Sequence, residues 1–474
     1  MDQRALEILL AELEGSVTVT DNGRVLVADE QKLCGVPLYT LAKKAVFGDA
    51  GEQAAARWLL WELGQVLGIY PASIHDLYVA RGEGEVPVNF TVPAINLRAM
   101  AYDSARAVFR AALPRRVGAL IFEIARSEIG YTDQRPAEYF SMVMAAAIKE
   151  GYRGPLFVQG DHFQVNAKKF KADPETELQA VSDLAKESIR AGFYNIDIDT
   201  STLVDLSYPT EDEQQRKNYE VCAKLTTFIR EQEPDRVTVS VGGEIGEIGE
   251  KNSDETELRA FMDGYNRSLP KGMTGLSKIS IQTGTAHGGV PLADGTLAQV
   301  KIDFNVIKEL SRVAREAYGM AGAVQHGAST LPDEAFSQFV QNEAAEVHLA
   351  TGFQNMVYDH EAMPSELRER IYEYIRTTHA NEQKEGQTEE QFIYKTRKKG
   401  LGPFKADLWG LGEDVRSAIR NSLEQKFGFL FDQLNVANTM ELATRYAPHV
   451  EIHKGLEDYG VTAGRVEDTS ELAD

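Results

Sequence analysis

Between residues 88 and 355, short apolar runs alternate with segments of helical periodicity, and this alternation limits the possible folds more than any other feature. The apolar runs have the length and the β-branched content of buried strands. There are eight: VNFTVPAIN, VGALIFEIA, PLFVQGDH, YNIDIDTS, VTVSVGGEIG, KISIQTGTAHG, AGAVQHGAS and EVHLATG. Repeated strand–helix units predict a parallel sheet, and this number of strands favours closure into a (βα)8 barrel over an open sheet.

The segments on either side of the barrel have different patterns. Residues 1–87 predict an α+β extension: Asn22-Gly23 separates two alternating runs, which is typical of a hairpin, and EQAAARWLLWELGQVLGI has helical spacing. Trp58 and Trp61 lie on or near the apolar face of that helix, so we interpret them as core residues. Residues 356–474 predict a helical, strongly charged C-terminal arm, and the barrel itself is assigned to residues 88–355.

Charge and hydropathy exclude several classes of protein. The chain carries 50 basic and 72 acidic residues, a formal charge of −22, which opposes binding to nucleic acid or to an anionic membrane surface. No apolar stretch approaches the roughly 20 residues of a membrane span. Cys34 and Cys222 are far apart and lack a CxxC pattern, so a disulfide framework is not expected. Without a signal-peptide pattern, the predicted location is the cytoplasm.

Three histidines stand at the carboxyl ends of predicted strands. Asp161-His162 ends the third strand, His287 the sixth and His326 the seventh. A single histidine is more often a packing or surface residue, but three of only nine histidines at these ends indicate a shared site, because a parallel barrel carries its chemistry there. Imidazole ligands suit a divalent metal, and the prediction is Zn²⁺, with Co²⁺ or Mn²⁺ as alternatives.

Glycines next to two of these histidines indicate an anion site. Gly288 and Gly327 allow backbone N–H groups to approach an anion closely, and Ser329 adds a hydroxyl donor. Glu244 ends the fifth predicted strand and would meet the same face of the barrel. The acidic loop EIGEIGEKNSDETE begins at Glu244 and could supply a general base. We interpret His75, His360, His379, His449 and His453 as packing or solvated residues.

These motifs resemble those of the class II, metal-dependent ketose-bisphosphate aldolases, which act on fructose or tagatose bisphosphate. The matching motifs are GDH at 160–162, EIG at 244–246, GTAHG at 284–288 and HGAST at 326–330. IDIDTS at 196–201 and PAIN at 93–96 are similar to the fourth and first strands of that family. The resemblance covers about residues 90–355 in unbroken order, and the order of the motifs makes it specific.

The resemblance implies a role for each motif. His162, His287 and His326 would bind a zinc-like ion that polarises the ketose carbonyl, and Glu244 would be an alternative ligand. Asp161 would move the proton on the C4 hydroxyl; alternatively, it would only orient His162. The implied binding sites for substrate and its phosphate are Asn96, Gly288, Gly327, Ser329 and Thr351.

The chain departs from the family pattern at several positions. GEKNSDE at 249–255 replaces G-G-x-E-D, so the base for the enediolate proton is Glu250, Asp254 or Glu255, with Glu250 as our choice. His348-Leu349-Ala350-Thr351-Gly352 replaces N-I-A-T-D, whose Asn contacts the triose. Pro291 stands where lysine is common, and Ala328 stands where the family has glycine. These departures leave the identity of the substrate open.

The resemblance predicts a class II aldolase that cleaves a ketose like fructose 1,6-bisphosphate into dihydroxyacetone phosphate and an aldehyde. An epimerase with the same metal site is an alternative. So is a non-catalytic partner subunit of an aldolase, which SEIGYTDQRPAEYF at 127–140 resembles. A homodimer or homotetramer is expected. Arg416 and Arg420 could reach a partner's active site from the C-terminal arm, although we favour a solvated helix face for them.

Overall fold

A closed barrel of parallel strands forms the centre of the molecule. The computed structural model describes residues 3–246, 251–284 and 302–459, together with Leu472. The strands are β1 Val17–Val19, β2 Val25–Val27, β3 Ile69–Ala72, β4 Val92–Asn96, β5 Ile121–Ala125, β6 Gly154–Gln164, β7 Asn195–Asp199, β8 Ser240–Glu244, β9 Lys278–Ile281, β10 Ala323–Gln325 and β11 Glu346–Leu349. Strands β4 to β11 pair in parallel in chain order, and β11 pairs with β4 to close the cylinder.

The predicted (βα)8 barrel is therefore confirmed, and each of the eight predicted strands overlaps one observed barrel strand. Every residue of these strands except Gly154 is buried. Strands of a parallel barrel are covered by helices outside and by side chains inside, which explains why they appear in the sequence as nearly continuous apolar runs.

Helices surround the barrel and form both flanking regions. In chain order they are α1 Gln3–Glu12, α2 Glu30–Leu33, α3 Val36–Phe47, α4 Ala50–Leu67, α5 His75–Gly82, α6 Ala101–Ala112, α7 Arg126–Thr132, α8 Pro136–Glu150, α9 Ala167–Ala172, α10 Pro174–Ala191, α11 Glu211–Gln232, α12 Glu255–Ser268, α13 Phe304–Tyr318, α14 Phe336–Gln341, α15 Thr351–Tyr358, α16 Ser365–Thr378, α17 Glu389–Thr396, α18 Lys405–Trp409, α19 Glu413–Gln433 and α20 Met440–Tyr446. Within the described ranges, none of these helices is both long and apolar enough to cross a bilayer.

Side-chain caps fix where several of the barrel helices begin. The carboxylate of Asp173 accepts a hydrogen bond from the backbone N–H of Thr176 at the start of α10, and Asp254 does the same for Glu257 in α12. Such caps satisfy backbone donors that have no partner in the first helical turn. They therefore set the length of the loops that connect strand ends to helices.

The N-terminal region contains the predicted hairpin and is tied to the barrel. Strands β1 and β2 pair in antiparallel fashion on either side of Gly23, whose φ is 79°. The helix predicted to reach Ile69 ends at Leu67 instead, because Gly68 adopts a left-handed C-cap. Ile69 then begins β3, which pairs in parallel with β6. Trp58 and Trp61 are buried as expected, and their indole N–H groups donate to backbone carbonyls of residues 454 and 452.

The long C-terminal helix α19 packs on α6, and this contact corrects one interpretation. Arg416 and Arg420 are buried rather than on a solvated helix face. Both guanidinium groups bind the carboxylate of Asp103 in α6, with Arg416 Nη1 3.2 Å from Asp103 Oδ2. The two arginines therefore fasten the C-terminal arm to the barrel of the same chain.

Candidate active site at the barrel mouth

Asp161 and His162 are adjacent in sequence, yet both side chains approach the same site. Successive residues of a regular strand point to opposite faces, so a regular β6 would separate them. The pairing of β6 with β7 is interrupted by a bulge between Gly160 and Phe163, and His162 has a left-handed φ of 39°. The bulge turns the strand locally and brings both polar side chains to the mouth of the barrel. A strained conformation of a non-glycine residue is characteristic of functional sites.

Two carboxylates from neighbouring strands hold the imidazole of His162. Its Nδ1 lies 3.4 Å from Asp199 Oδ2 at the end of β7 and 3.3 Å from Glu244 Oε2 at the end of β8. Asp199 is fixed in turn by hydrogen bonds from Ser201 and Gln164. Burial alone would lower the pKa of His162, but Asp161 and Glu244 raise it well above its usual value. Asp199 therefore orients the ring, as carboxylates next to metal-binding histidines commonly do.

His326 lies against His162, with ring centroids 4.2 Å apart. Its Nε2 is 2.8 Å from Ser280 Oγ. Ligand atoms of His162, Glu244 and His326 all lie within 4.8 Å of one another, and the three residues are buried. The structure therefore brings together two of the three predicted histidine ligands and the predicted alternative ligand. Three further predicted site residues lie outside the described residues: Glu250, His287 and Gly288.

Asp161 lies beside this group and contacts a histidine that the sequence analysis did not place in the site. Its Oδ1 is 3.1 Å from His348 Nδ1, 3.8 Å from His326 Nδ1 and 4.0 Å from His162 Nε2. Asp199 and Glu244, rather than Asp161, are the carboxylates close to Nδ1 of His162. This geometry favours a chemical role for Asp161 over the alternative in which it only orients His162.

His348 sits between four carboxylates inside the barrel. Its Nδ1 is 2.9 Å from Glu123 Oε2, and its Nε2 is 2.7 Å from Glu346 Oε1 and 3.7 Å from Asp197 Oδ2. Together with Asp161, these acceptors surround both ring nitrogens, and they raise the pKa of His348 well above its usual value although burial opposes this. Charged imidazolium neutralises part of the negative charge and holds the Asp161 carboxylate in place.

A buried lysine lies inside the barrel, below the polar side chains at the mouth. Lys278 Nζ is 2.5 Å from Glu346 Oε1, 2.9 Å from Asp197 Oδ1 and 2.7 Å from Gln159 Oε1, and its side chain is fully buried. Glu346 also accepts a hydrogen bond from the hydroxyl of Tyr78. Asp197, Glu346 and His348 could by spacing hold a metal ion. The ammonium of Lys278 already supplies a cation to both carboxylates, so we assign this layer a structural role.

The strands contain a signal for this inner layer that the sequence analysis did not use. Polar residues recur two positions apart in three strands: Asp197 and Asp199, Lys278 and Ser280, and Glu346 and His348. A separation of two places both side chains on the same face of a strand. In strands buried on both faces, such pairs point to a polar barrel interior. An apolar residue stands between the two members of each pair, so each strand appears in the sequence as an apolar run.

Burial and negative neighbours raise the pKa of several carboxyl groups in the site. Burial and the charge of Asp161 raise the pKa of Glu123 to about 8, and burial and the charge of Asp199 raise that of Glu244 to about 7. Burial also raises the pKa of Asp197 to about 6, although Lys278 opposes the shift. The raised pKa values reflect mutual repulsion between buried carboxylates, which a cation placed among them would reduce.

The described residues proposed for substrate binding lie at the ends of three adjacent strands, β10, β11 and β4. Gly327 has a φ of 69° and begins a 3-10 turn that includes Ser329, whose Oγ accepts a hydrogen bond from the backbone N–H of Gly352 at 3.0 Å. Asn96 at the end of β4 is 1% exposed, and its Nδ2 donates to Glu128 Oε2 at 2.5 Å. Thr351 Oγ1 accepts a hydrogen bond from Arg98 at 3.2 Å.

The donor set fits a divalent transition metal. Imidazole nitrogens from His162 and His326 and a carboxylate oxygen from Glu244 are ligand types that zinc, cobalt and manganese accept. Asp161, His326 and His348 form a second group of suitable spacing that shares His326 with the first. The carboxylates near Nδ1 of His162 would fix the orientation of the ring toward an ion.

Comparison with known proteins identifies the family. Residues 87–401, more than half of the chain, match the family described as fructose-bisphosphate aldolase class-II. The chain belongs to the class II fructose-bisphosphate aldolase family. The resemblance stated from the strand-end motifs is thereby confirmed. A comparison with curated protein sequences gave no significant match.

Solved structures are similar to this aldolase-family chain at low sequence identity, and the one with a TM-score above 0.5 shares its fold. A probable tagatose 6 phosphate kinase from Sinorhizobium meliloti 1021 is 15% identical, with a TM-score of 0.52, and the match covers 74% of this chain and 100% of that one. The fructose-bisphosphate aldolase from Campylobacter jejuni is 17% identical with a TM-score of 0.44, covering 77% and 94%. The YdjI aldolase from Escherichia coli K12 is 13% identical with a TM-score of 0.39, covering 72% and 98%.

Proposed function

We propose that this protein is a metal-dependent ketose-bisphosphate aldolase, which reversibly cleaves a phosphorylated ketose similar to fructose 1,6-bisphosphate into dihydroxyacetone phosphate and an aldehyde. One observation carries the proposal. His162, His326 and Glu244 offer ligand atoms within 4.8 Å of one another, and the Asp161 carboxylate lies beside them at the mouth of an aldolase-family barrel. Active sites of such barrels lie at this end, where the strands meet the loops.

The metal would be held by His162 and His326, with Glu244 as an alternative ligand and His287 as the remaining ligand implied by the family motif. When bound, it supplies Lewis-acid polarisation of the ketose carbonyl. The protein supplies the ligand geometry. Asp199 and Glu244 hold the His162 ring, and Ser280 holds Nε2 of His326 at 2.8 Å.

Asp161 is the general base in this proposal. It would take the proton from the C4 hydroxyl while the C3–C4 bond breaks, so that the C4 fragment leaves as an aldehyde. The triose fragment then gains a proton at C3, and Glu250 is our candidate donor. In the reverse direction, Asp161 returns its proton to the aldehyde oxygen. His348 keeps the carboxylate of Asp161 in position through the 3.1 Å contact with its Nδ1.

The substrate in this proposal is a phosphorylated sugar, and its phosphate would lie among Gly288, Gly327 and Ser329. Asn96 at the end of β4 and Thr351 just after the adjacent strand β11 would contact the sugar. The hydroxyl of Ser329 and the left-handed turn at Gly327 support this placement, because such turns direct backbone N–H groups toward an anion. We further propose a homodimer or homotetramer as the working assembly.

Metal analysis and an activity assay together test the proposal. Purified protein should contain about one equivalent of a divalent transition metal, and a chelator should abolish release of triose phosphate in a coupled assay. Asp161→Ala should retain the metal and lose about 10²–10⁴-fold in turnover, because it removes a general base and no ligand. Conversion of the ketose to its epimer without triose phosphate would instead support the epimerase, and protein without metal or turnover would indicate a non-catalytic subunit.

A further inference from the structure

An arginine that the sequence analysis did not consider lies at the rim of the barrel next to a proposed substrate contact. Arg98 follows β4, and its side chain is 5% exposed. Its Nε is 2.6 Å from Glu128 Oε1, and its Nη1 is 3.2 Å from Thr351 Oγ1. The guanidinium group of Arg98 therefore connects the segments that follow three strands, β4, β5 and β11, and all three strands end at the catalytic face.

The C-terminal region brings a second cation to the same place. Glu128 and Tyr131 are three residues apart on α7 and therefore share one face of that helix. The ammonium of Lys398 lies 5.5 Å from the centre of the Tyr131 ring. The segment that carries Lys398 is held there, because Gly402 N–H donates to the Tyr131 carbonyl at 3.1 Å. Arg98, Tyr131 and Lys398 thus form one cluster, which we call the rim cluster.

Hydrogen bonding differs among the polar atoms of the rim cluster and its neighbours. Tyr131 Oη is buried and has no hydrogen-bond partner among the described residues, and the same is true of Asn96 Oδ1. In contrast, Glu128 is fully engaged, since its carboxylate accepts hydrogen bonds from Arg98, Asn96 and the backbone N–H of Ala125. Buried polar atoms without partners are rare in native structures and commonly face a ligand or water.

Charge also favours an anion at this place. Burial, followed by the positive charge of Arg98, lowers the pKa of the Lys398 ammonium to about 7. An anion bound between Arg98 and Lys398 would offset both the burial of the ammonium and the repulsion between the two cations. Elsewhere the mouth of the barrel carries the carboxylates of Asp161, Glu244 and Asp199. Because these negative charges repel a phosphate dianion, the phosphate needs cations close to the place where it binds.

We propose that Arg98, Tyr131 and Lys398 form a binding site for a phosphate group of the sugar substrate. This inference rests on the proposed aldolase function and adds three residues to its binding site. Arg98 would present its planar guanidinium to two phosphate oxygens, Lys398 a compact positive charge, and Tyr131 a hydroxyl donor. Because Lys398 belongs to the C-terminal arm, that arm would take part in substrate recognition within the same chain.

Binding of inorganic phosphate to metal-depleted protein, measured by isothermal titration calorimetry, tests the site without relying on turnover. Lys398→Met should weaken phosphate binding at least about tenfold, because it removes a charge-assisted hydrogen bond. Tyr131→Phe should weaken it about two- to tenfold while keeping the ring and the packing. Lys399→Met is the matched control, since Lys399 Nζ binds Glu382 Oε2 at 2.6 Å and its loss should leave phosphate binding unchanged.

Unchanged phosphate affinity in both Lys398→Met and Tyr131→Phe would overturn the rim cluster as a phosphate site, as would equal weakening in Lys399→Met. Kinetics on the same proteins separate this inference from the aldolase proposal. Where the native enzyme releases triose phosphate, Lys398→Met should raise KM more than it lowers kcat. Weakened phosphate binding without any turnover of native protein would retain the site and reject the aldolase. Turnover with an unaffected KM in both variants would retain the aldolase and reject the site.

Discussion

Replacing Lys278 by methionine should destabilise the protein more than any surface substitution. The side chain is fully buried, and its ammonium contacts Gln159, Asp197 and Glu346 at 2.5–2.9 Å. Methionine keeps most of the volume but leaves Asp197 and Glu346 buried with the His348 ring as the remaining shared cation. Removal of one partner from a buried ion pair costs about 3–5 kcal/mol. That is a large part of the roughly 5–15 kcal/mol by which folded domains are stable.

Urea denaturation followed by circular dichroism would measure this loss. Lys224→Met is the control, since Lys224 and Glu175 form an exposed pair at 3.3 Å and such pairs contribute about 0–1 kcal/mol. Adding Glu346→Gln to Lys278→Met should restore about 0.5–3 kcal/mol relative to the sum of the single changes, because the residues are in contact. A loss below about 1 kcal/mol in Lys278→Met would refute a charged inner layer.

Three further outcomes are expected. His326→Ala should abolish metal retention measured by elemental analysis after dialysis, whereas His379→Ala, whose imidazole pairs with Glu382 and lies outside the candidate ligand groups, should retain the metal. His348→Asn should lower turnover with metal retained, because it removes the imidazolium that holds Asp161; unchanged kcat would contradict that role. Burial lowers the pKa of His75 from 6.5 to about 4. The unfolded chain takes up a proton at His75 below pH 6.5, whereas the folded chain does so only near pH 4. The free energy of unfolding should therefore fall by about 3 kcal/mol as the pH is lowered from 6.5 to 4. His75→Phe should remove this loss.

The barrel could be predicted from the sequence because its cause is local. Strands buried on both faces must be apolar along their whole length, so each appears as an isolated run such as VGALIFEIA. Helix starts are also local, since the caps at Asp173 and Asp254 lie in the sequence next to the turns that they satisfy. The end of α4 was predicted two residues too late because one glycine, Gly68, decides it.

Part of the candidate site could be predicted for the same reason. Histidines and glycines at strand ends identified Asp161, His162, His326 and Glu244, since every carboxyl end of a parallel barrel faces the same side. The resemblance to a family supplied the expected roles of these residues. Their partners could not be predicted in this way. His348 was set aside as a departure from the family, although it is the nearest described imidazole to Asp161.

The sequence alone therefore determined the type and order of the strands and the residues at their ends, because hydrophobic periodicity and turn chemistry act over a few neighbouring residues. Tertiary structure decided which side chains meet. Closing the barrel placed Lys278 between Asp197 and Glu346, residues from three separate strands. The bulge at His162 and the position of Lys398 above Tyr131 likewise depend on packing between segments distant in sequence. Such contacts arise only when the whole chain has folded, since no local preference encodes them.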